Sequence, residues 1–532
     1  MKFSFIALLL TGVVTFADPM IIPKPFELNQ LEGSIKLSSN ATISYSDAAA
    51  KPVSELIASQ LRTATGYPLP IESGTEGFIV FGVIHDDTLG KEGYALKVDQ
   101  RVQISAPTQA GLFYGGQTLR QLLPPEIFSP SAVEANWIIP TVEIRDLPRF
   151  DWRGLHLDVS RHFMPKEDLL KFIDTMAAFK FNRFHLHLTD DQGWRIEIKK
   201  YPKLTEIGSQ RSGTLIGHYL PEDEPKKFSN VPHHGYYTQD ELHEIVAFAA
   251  ERNITIVPEI DIPGHSQAAI AAYPELGCTS EPVEVRKTWG ISEYILNPEE
   301  STIEFYKNVF SEVMDIFPSE FIHVGGDEAL KKQWENNPRI QQLLKKRGLQ
   351  DIHAMQAWFI RQFDNFLAKN GRRMIGWDEI GEDPSKLSKD AAIVWWRADD
   401  SKAIAINVAK SGRDLIVAPH ENLYFDYYQG PESDEPLAIG GMLTLKQVYH
   451  FNPVIPELED YSDHVLGAQG QLWREYLPTT ESVEYMAFPR SCALAEILWL
   501  QEKQKDYDDF MQRMKLQEAR FDAADINYRK MD

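Results

Sequence analysis

The chain has 532 residues, with Lys+Arg 54 against Asp+Glu 77 and a formal net charge of −23. Such an anionic surface argues against a phosphate-backbone binder, which needs clustered cations, so no nucleic-acid partner is expected. With 43% hydrophobic, 25% charged and 11% aromatic residues the composition is that of an ordinary globular protein, long enough for two or three domains or for one barrel-sized domain and a smaller one.

The first 17 residues read as an export signal: Lys2 gives the positive start, Phe3 to Val14 is mostly apolar, and Thr15-Phe16-Ala17 offers small residues at the cleavage spacing, which predicts cleavage after Ala17 and a periplasmic or secreted protein. The alternative, a membrane anchor, needs roughly 20 apolar residues, and this stretch falls short. No membrane association is expected once the signal is removed, and the mature chain fits a monomer or a homodimer. Only Cys278 and Cys492 are present, which excludes a disulfide framework and a thiolate-rich zinc site. One disulfide is permitted; two buried free thiols is the plainer reading.

Residues 18–146 predict a small α+β domain. Short alternating runs at Ala41 to Tyr45, Gly77 to Gly82, Tyr94 to Val98 and Val102 to Ser105 are interrupted by helix-like stretches at Val53 to Thr63 and Ala110 to Leu123. The segment Arg145-Asp146-Leu147-Pro148-Arg149 breaks the pattern and marks the boundary. From 147 to 532, eight short apolar strands alternate with amphipathic helices. The strand candidates are Gly154 to Asp158, Arg183 to Leu188, Ile254 to Glu259, Phe321 to Gly325, Met374 to Trp377, Ala392 to Trp396, Asp414 to Ala418 and Val465 to Gln469. Helices fit at Lys166 to Phe179, Asp240 to Glu251, Ser301 to Phe317 and His353 to Lys369. The fold class is therefore α/β, a (β/α)8 TIM barrel with a small N-terminal α+β domain and a C-terminal helix. An open doubly wound sheet is the runner-up, but no glycine-rich phosphate loop follows the first strand.

In such barrels the reacting groups collect where strands end, and every predicted strand end here carries polar or aromatic side chains. Asp158 and Arg161 follow the first; His187, Asp190 and Asp191 the second; Glu259, Asp261 and His265 the third. The fourth ends in His323-Val324-Gly325-Gly326-Asp327-Glu328, the fifth in Trp377-Asp378-Glu379, the sixth in Trp395-Trp396-Arg397. His420, Tyr424 and Asp426 follow the seventh, Trp473 and Glu475 the eighth. Carboxylates, one cation and indole faces describe a carbohydrate site, because indoles pack on the C–H faces of a sugar ring while carboxylates and Arg bind its hydroxyls. Two adjacent carboxylates after two glycines predict a bend from which both Asp327 and Glu328 reach a ligand. Burial among Trp side chains would keep one carboxyl protonated and leave the other ionised.

These words together resemble glycoside hydrolase family 20, the β-N-acetylhexosaminidases: WRGLHLDVSRHF from Trp152, HLHLTDDQGWR from His185, EIDIPGH from Glu259, HVGGDE from His323 and GWDE around Trp377. The resemblance extends to the N-terminal domain through a turn at Ala106 to Gly111 and Tyr114-Gly115. It implies exo action on terminal β-linked N-acetylglucosamine or N-acetylgalactosamine, retaining, with the substrate's acetamido group as nucleophile, and with no metal or cofactor. By it, Glu328 is the general acid, Asp327 orients the acetamido N–H, and Tyr424 donates to the acetamido oxygen. Trp377, Trp396 and Trp473 wall the acetyl group and ring, with Trp396 chosen over Trp395 by spacing. Arg161, Asp426 and Glu475 hold hydroxyls, and Asp190, Asp261 and His265 form a polar network behind the acid. Asp191, Glu259, Asp378 and Glu379 are read as structural. Many family members carry a further Trp after the tyrosine; Gln429 to Gly441 has none. Two other readings remain. His185 and His187 share a strand face, as in metal-dependent amidohydrolase barrels, with His265 and His323 as further ligands. A noncatalytic sugar-binding protein would keep the aromatic platform but has no need of the Asp327-Glu328 pair with Tyr424.

Overall fold

The structure is a computed structural model that describes residues 19–219, 224–279 and 281–531; the expected export signal lies outside them. The chain divides into two units. One comprises Pro25–Leu147 with Gln512–Arg520; the other is built on Pro148–Met511 and includes Phe521–Asp532. The short stretch Gln512–Arg520, expected with the barrel, thus groups with the first unit, where the Arg520 guanidinium donates to the Gln121 carbonyl (2.8 Å).

In the first unit seven strands form one mixed sheet, in the order Glu27–Lys36, Ile138–Asp146, Tyr94–Val98, Val102–Ala106, Ile79–Val83, Ile43–Tyr45, Ile71–Ser73. The two longest strands, Glu27–Lys36 and Ile138–Asp146, pair antiparallel along one edge and were not expected, since ELNQLEGSIK has little apolar alternation and is mostly exposed. The segment Ala106 to Gly111 runs from the end of the strand Val102–Ala106 through a bend into the expected helix, Gln109–Leu122, capped by the Thr108 hydroxyl accepting from the Gly111 N–H. Glycine is needed there because a Cβ on Gly111 would lie 2.2 Å from the Gly93 carbonyl oxygen.

The second unit contains a closed eight-stranded parallel barrel: β1 Trp152–Asp158, β2 Arg183–His187, β3 Thr255–Glu259, β4 Phe321–His323, β5 Arg373–Trp377, β6 Ala392–Trp395, β7 Asp414–Val417 and β8 Val465–Gly470. All eight lie where the sequence periodicity puts them, with ends shifted by one or two residues. Helices α1 Lys166–Ala178, α2 Gln239–Glu251, α3 Glu300–Ile316, α4 Ile352–Lys369 and α5 Lys402–Lys410 follow β1, β2, β3, β4 and β6 respectively, each burying an apolar stripe. Helix α2 begins in a capping box, Thr238 with Glu241. Among the described residues no helix is long and apolar enough to cross a membrane. Cys278 and Cys492 are both buried, and neither forms a disulfide.

Because side chains alternate across a strand, every second residue enters the barrel. The inward residues near the strand starts are apolar: Trp152, Val257, Phe321, Ile375, Ala392, Val394 and Ile416 form one buried cluster. Toward the strand ends they become His156, Asp158, His185, His187, Glu259, His323, Trp377 and Gln469, all buried. The barrel therefore has an apolar base and a polar upper layer. Gln469 joins the layers, accepting from the Trp152 indole (3.1 Å) and bonding His185 through its amide nitrogen (2.9 Å).

The β7–β8 pairing slips between Leu415 and Ile416, and β8 then closes on β1 with Gly467 opposite Trp152. Gly467 has φ 147°, and a Cβ there would stand 1.9 Å from the Trp152 carbonyl oxygen. Gly467→Ala is expected to cost on the order of 2–4 kcal/mol by opening this seam, whereas Gly412→Ala, at φ 77° with open space around it, costs about 1 kcal/mol. Thermal melting of the two variants measures the difference.

Candidate active site

The floor of the site is the buried carboxylate of Glu259 at the end of β3. Its Oε1 accepts from the Trp377 indole (2.8 Å) and lies 3.0 Å from His323 Nδ1; its Oε2 lies 2.5 Å from His187 Nδ1 and 3.0 Å from His185 Nε2. Burial opposes its charge, but the surrounding imidazoles outweigh burial and hold the carboxyl well below its ordinary range. Burial, reinforced by neighbouring His323, pushes His185 down to about 4. His187 goes the other way, to about 10, because Glu259 and Asp190 more than offset its desolvation. The two imidazoles of β2 thus converge on one carboxylate that fixes Trp377, where an amidohydrolase reading had them facing a metal.

Asp190, just past β2, carries the network upward. Its Oδ2 lies 2.8 Å from an Arg161 Nη and 3.0 Å from His187 Nε2, and its Oδ1 lies 3.1 Å from His265 Nδ1. Burial works against this charge too, yet Arg161 and His265 keep the carboxyl well below its usual range. Arg161 is further gripped by Asp158 (3.1 Å) and by the Gln192 side-chain oxygen (2.9 Å), with Glu475 at 3.8 Å. Although burial disfavours its charge, Asp190, Glu475 and Asp158 hold the guanidinium's proton tighter than normal. It lies over the Trp473 ring, 5.0 Å from the centroid.

Beyond β4 the chain bends as the double glycine predicts. Gly325 and Gly326 have φ of 65° and 102°, and Glu328, a non-glycine residue, is held at 45°. A Cβ on Gly325 would collide with the Asp261 carboxyl, whose Oδ1 accepts from the Gly326 N–H (3.1 Å). Left-handed backbone at a side-chain-bearing residue is strain that the surroundings must enforce, and it turns both carboxyls of Asp327 and Glu328 toward His265. His265 Nε2 stands 3.3 Å from a Glu328 oxygen and 3.7 Å from Asp327 Oδ2; His265 itself sits at φ 47°. Burial opposes protonation of His265, but Asp190 foremost raises it well above the ordinary histidine range, so the imidazolium is the cation behind the pair.

Asp327 is buried, which pushes its carboxyl up to about 6, with His265 pulling back part of the shift. Its Oδ1 is buried without a hydrogen-bond partner among the described residues. Burial, then the charge of Asp327, raises Asp261 well above the usual carboxyl range, so Asp261 is a neutral acid beside an ionisable one.

Aromatic walls face these carboxyls. Trp377 and Trp473 meet with centroids 5.7 Å apart, and Trp396 stacks on Tyr424 at 6.2 Å and 20°. Trp395, by contrast, is buried and donates its indole N–H to the Ala398 carbonyl (3.0 Å), leaving Trp396 as the partner of Tyr424. Asp426 is buried with Oδ1 unpartnered among the described residues, and desolvation, then Glu475, raises it well above the normal range. Of the residues read as structural, Glu259 anchors Trp377, and Asp378 accepts from the backbone N–H groups of Trp396 (3.0 Å) and Arg397 (3.1 Å). Asp191 accepts from the Gln267 N–H (3.0 Å). In the loop after Tyr424, Leu437, Ile439 and Met442 are exposed where a Trp was missing from the sequence.

The profile of the glycosyl hydrolase family 20 catalytic domain matches residues 150–502, and that of the family's domain 2 matches residues 18–147. The chain belongs to glycosyl hydrolase family 20. A β-hexosaminidase of Porphyromonas gingivalis is 42% identical over 515 residues, covering 96% of this chain and 64% of its own length, so this chain spans under two thirds of that relative. A β-hexosaminidase of Vibrio furnissii is 35% identical, covering 89% of this chain and 76% of its own. Among solved structures, the family 20 β-N-acetylhexosaminidase of Streptomyces coelicolor A3(2) superposes with a TM-score of 0.84 at 30% identity, covering 96% of this chain and 98% of its own. The exo β-N-acetylglucosaminidase of Vibrio harveyi, in complex with N-acetylglucosamine, gives 0.83 at 32%, covering 96% of this chain and 78% of its own.

Asp190 joins three cationic groups, so Asp190→Asn leaves Arg161 and His265 as undercompensated buried charges. Breaking such a pairing is expected to cost about 3 kcal/mol or more, read as a lower melting temperature.

Proposed function

We propose that the protein is an exo-acting, retaining β-N-acetylhexosaminidase that removes terminal β-linked N-acetylglucosamine or N-acetylgalactosamine by substrate-assisted catalysis. The observation that carries this reading is the buried Asp327: a carboxyl with one unpartnered oxygen, set between an imidazolium and an aromatic box, beside a second carboxyl on the same bend. A group that accepts one N–H at a developing cation needs that surrounding.

In this reading the sugar's acetamido group enters between Trp377, Trp396, Trp473 and Tyr424. Ionised Asp327 accepts the acetamido N–H at Oδ1, and the Tyr424 hydroxyl donates to the acetamido oxygen. That oxygen attacks the anomeric carbon as Glu328 gives its proton to the departing glycosidic oxygen, forming an oxazolinium ring. Glu328 then takes a proton from water, which reopens the ring with net retention. The positive charge of the ring is countered by Asp327. Arg161, Glu475 and Asp426 bind the hydroxyls of the non-reducing ring, and their convergence above a closed barrel floor supports action at a chain end. The anionic surface and the leader-like first 17 residues support an exported enzyme.

An aryl β-N-acetylglucosaminide tests the reaction. Glu328→Gln should lose about 10²–10⁴-fold in turnover with a poor leaving group and less with a good one. Asp327→Asn should lose activity with both, and absence of turnover by the wild type on N-acetylated glycosides overturns the reading. The kcat/KM of the wild type should rise as pH climbs through about 6, where Asp327 ionises. Because the His265 cation holds that proton affinity down, His265→Gln should move the same limb to higher pH.

A further inference from the structure

Glu379 follows Trp377 by two residues in the short 3-10 turn Asp378–Gly381, and the proposed reaction gives it no task. Its side chain is only 15% exposed. One oxygen accepts from the Trp396 indole N–H at 3.1 Å; the other lies 3.6 Å from Arg397 Nε. Its neighbour Asp378 grips the other end of the same residue through the backbone N–H groups of Trp396 and Arg397 and is itself tied to the Ser401 hydroxyl (2.7 Å). Trp396 is thus held at its backbone by one carboxyl and at the tip of its ring by the next, and its face lies on Tyr424. Glu379 and Glu328 also line one cavity of about 790 Å³, together with Lys331, Glu382 and Arg397, so protons can reach Glu379 from the same space as the acid.

We propose that Glu379 is a positioning residue of the acetamido pocket: by accepting the Trp396 indole N–H it fixes the ring that presses the acetyl group into line for attack. The inference rests on the reaction proposed above, since it concerns the geometry of that nucleophile. An indole free to swing would leave the acetamido oxygen less often aligned, a loss felt in turnover more than in ground-state binding.

The charge state sharpens the test. Burial, followed by the charges of Asp327 and Asp378, keeps the Glu379 proton in place up to about 8, against the pull of Arg397. Lys331 and Glu382 are further charged groups on the wall of the same cavity, with Glu328, Asp383, Lys386 and Arg361. At neutral pH Glu379 is therefore a neutral acid whose carbonyl oxygen accepts the N–H, a role that glutamine reproduces. Above about 8 it gains a negative charge near the developing oxazolinium, which glutamine does not.

The experiment compares Glu379→Ala, Glu379→Gln, Trp396→Phe and the Glu379→Ala/Trp396→Phe double variant on an aryl β-N-acetylglucosaminide, with thermal melting of each and with a thiazoline analogue of the oxazolinium as inhibitor. Glu379→Ala should lose about tenfold in kcat with less than about threefold change in KM, and bind the thiazoline about tenfold more weakly. Glu379→Gln should stay within about threefold of the wild type at pH 6–7, with the ratio of wild-type to Gln activity rising through pH 8. Phenylalanine has no N–H, so in the Trp396→Phe background the Ala substitution should cost less than about twofold more. The proposal is overturned if Ala matches the wild type, if its loss is undiminished in the Trp396→Phe background, or if a folded Gln variant is as impaired as Ala. A wild type without turnover would instead defeat the proposed reaction, so the two failures are separable.

Discussion

One buried carboxylate, that of Asp190, ties the parts of the site together. It receives Arg161, His187 and His265 at once, and those three groups lead in three directions: toward Asp158 and Glu475, toward Glu259 on the barrel floor, and toward Asp327 and Glu328. Isolated, each cation would be costly to bury; sharing one anion, with Asp158, Glu259 and Glu475 completing the count, they hold each other charged. Protonation states are thereby set by position. His187 and His185, two residues apart on one strand, are driven in opposite directions: burial lowers both, but at His187 the carboxylates of Glu259 and Asp190 outweigh it, while at His185 the neighbouring His323 adds to it and Glu259 offsets only part.

The same logic governs the carboxyls. Asp261 and Asp327 are close enough that both cannot ionise cheaply, and the imidazolium of His265 decides in favour of Asp327. The left-handed backbone at Glu328 and His265 is the conformational cost of bringing these groups together, and Gly325 is the point at which no side chain could be tolerated, since the Asp261 carboxyl occupies the place of its Cβ. Rigidity is spent where charge must be placed to within an ångström. The aromatic box follows the same rule, with Trp377 pinned by Glu259 and Trp396 pinned by Asp378 and Glu379.

Eight short apolar runs separated by amphipathic helices were enough to anticipate a barrel, because the inward half of each strand must be apolar at the base and the helices must bury a stripe. The strand-end inventory also singled out Asp327, Glu328 and Arg161, which the structure joins in one network through Asp190 and His265. The edge strand Glu27–Lys36 escaped this reading: an exposed edge needs no alternation, and its existence is a property of Ile138–Asp146, the inner strand it pairs with.

The linear order of residues determined the barrel and the bend after β4, because periodicity and the double glycine act locally. It could not say that Glu259, apparently structural, is the anchor of Trp377, or that Glu379 reaches the indole of Trp396, 17 residues on. Proton affinities, too, belonged to the tertiary structure alone. They depend on burial and on which charges lie within a few ångströms, and those neighbours come from strands separated by tens to hundreds of residues.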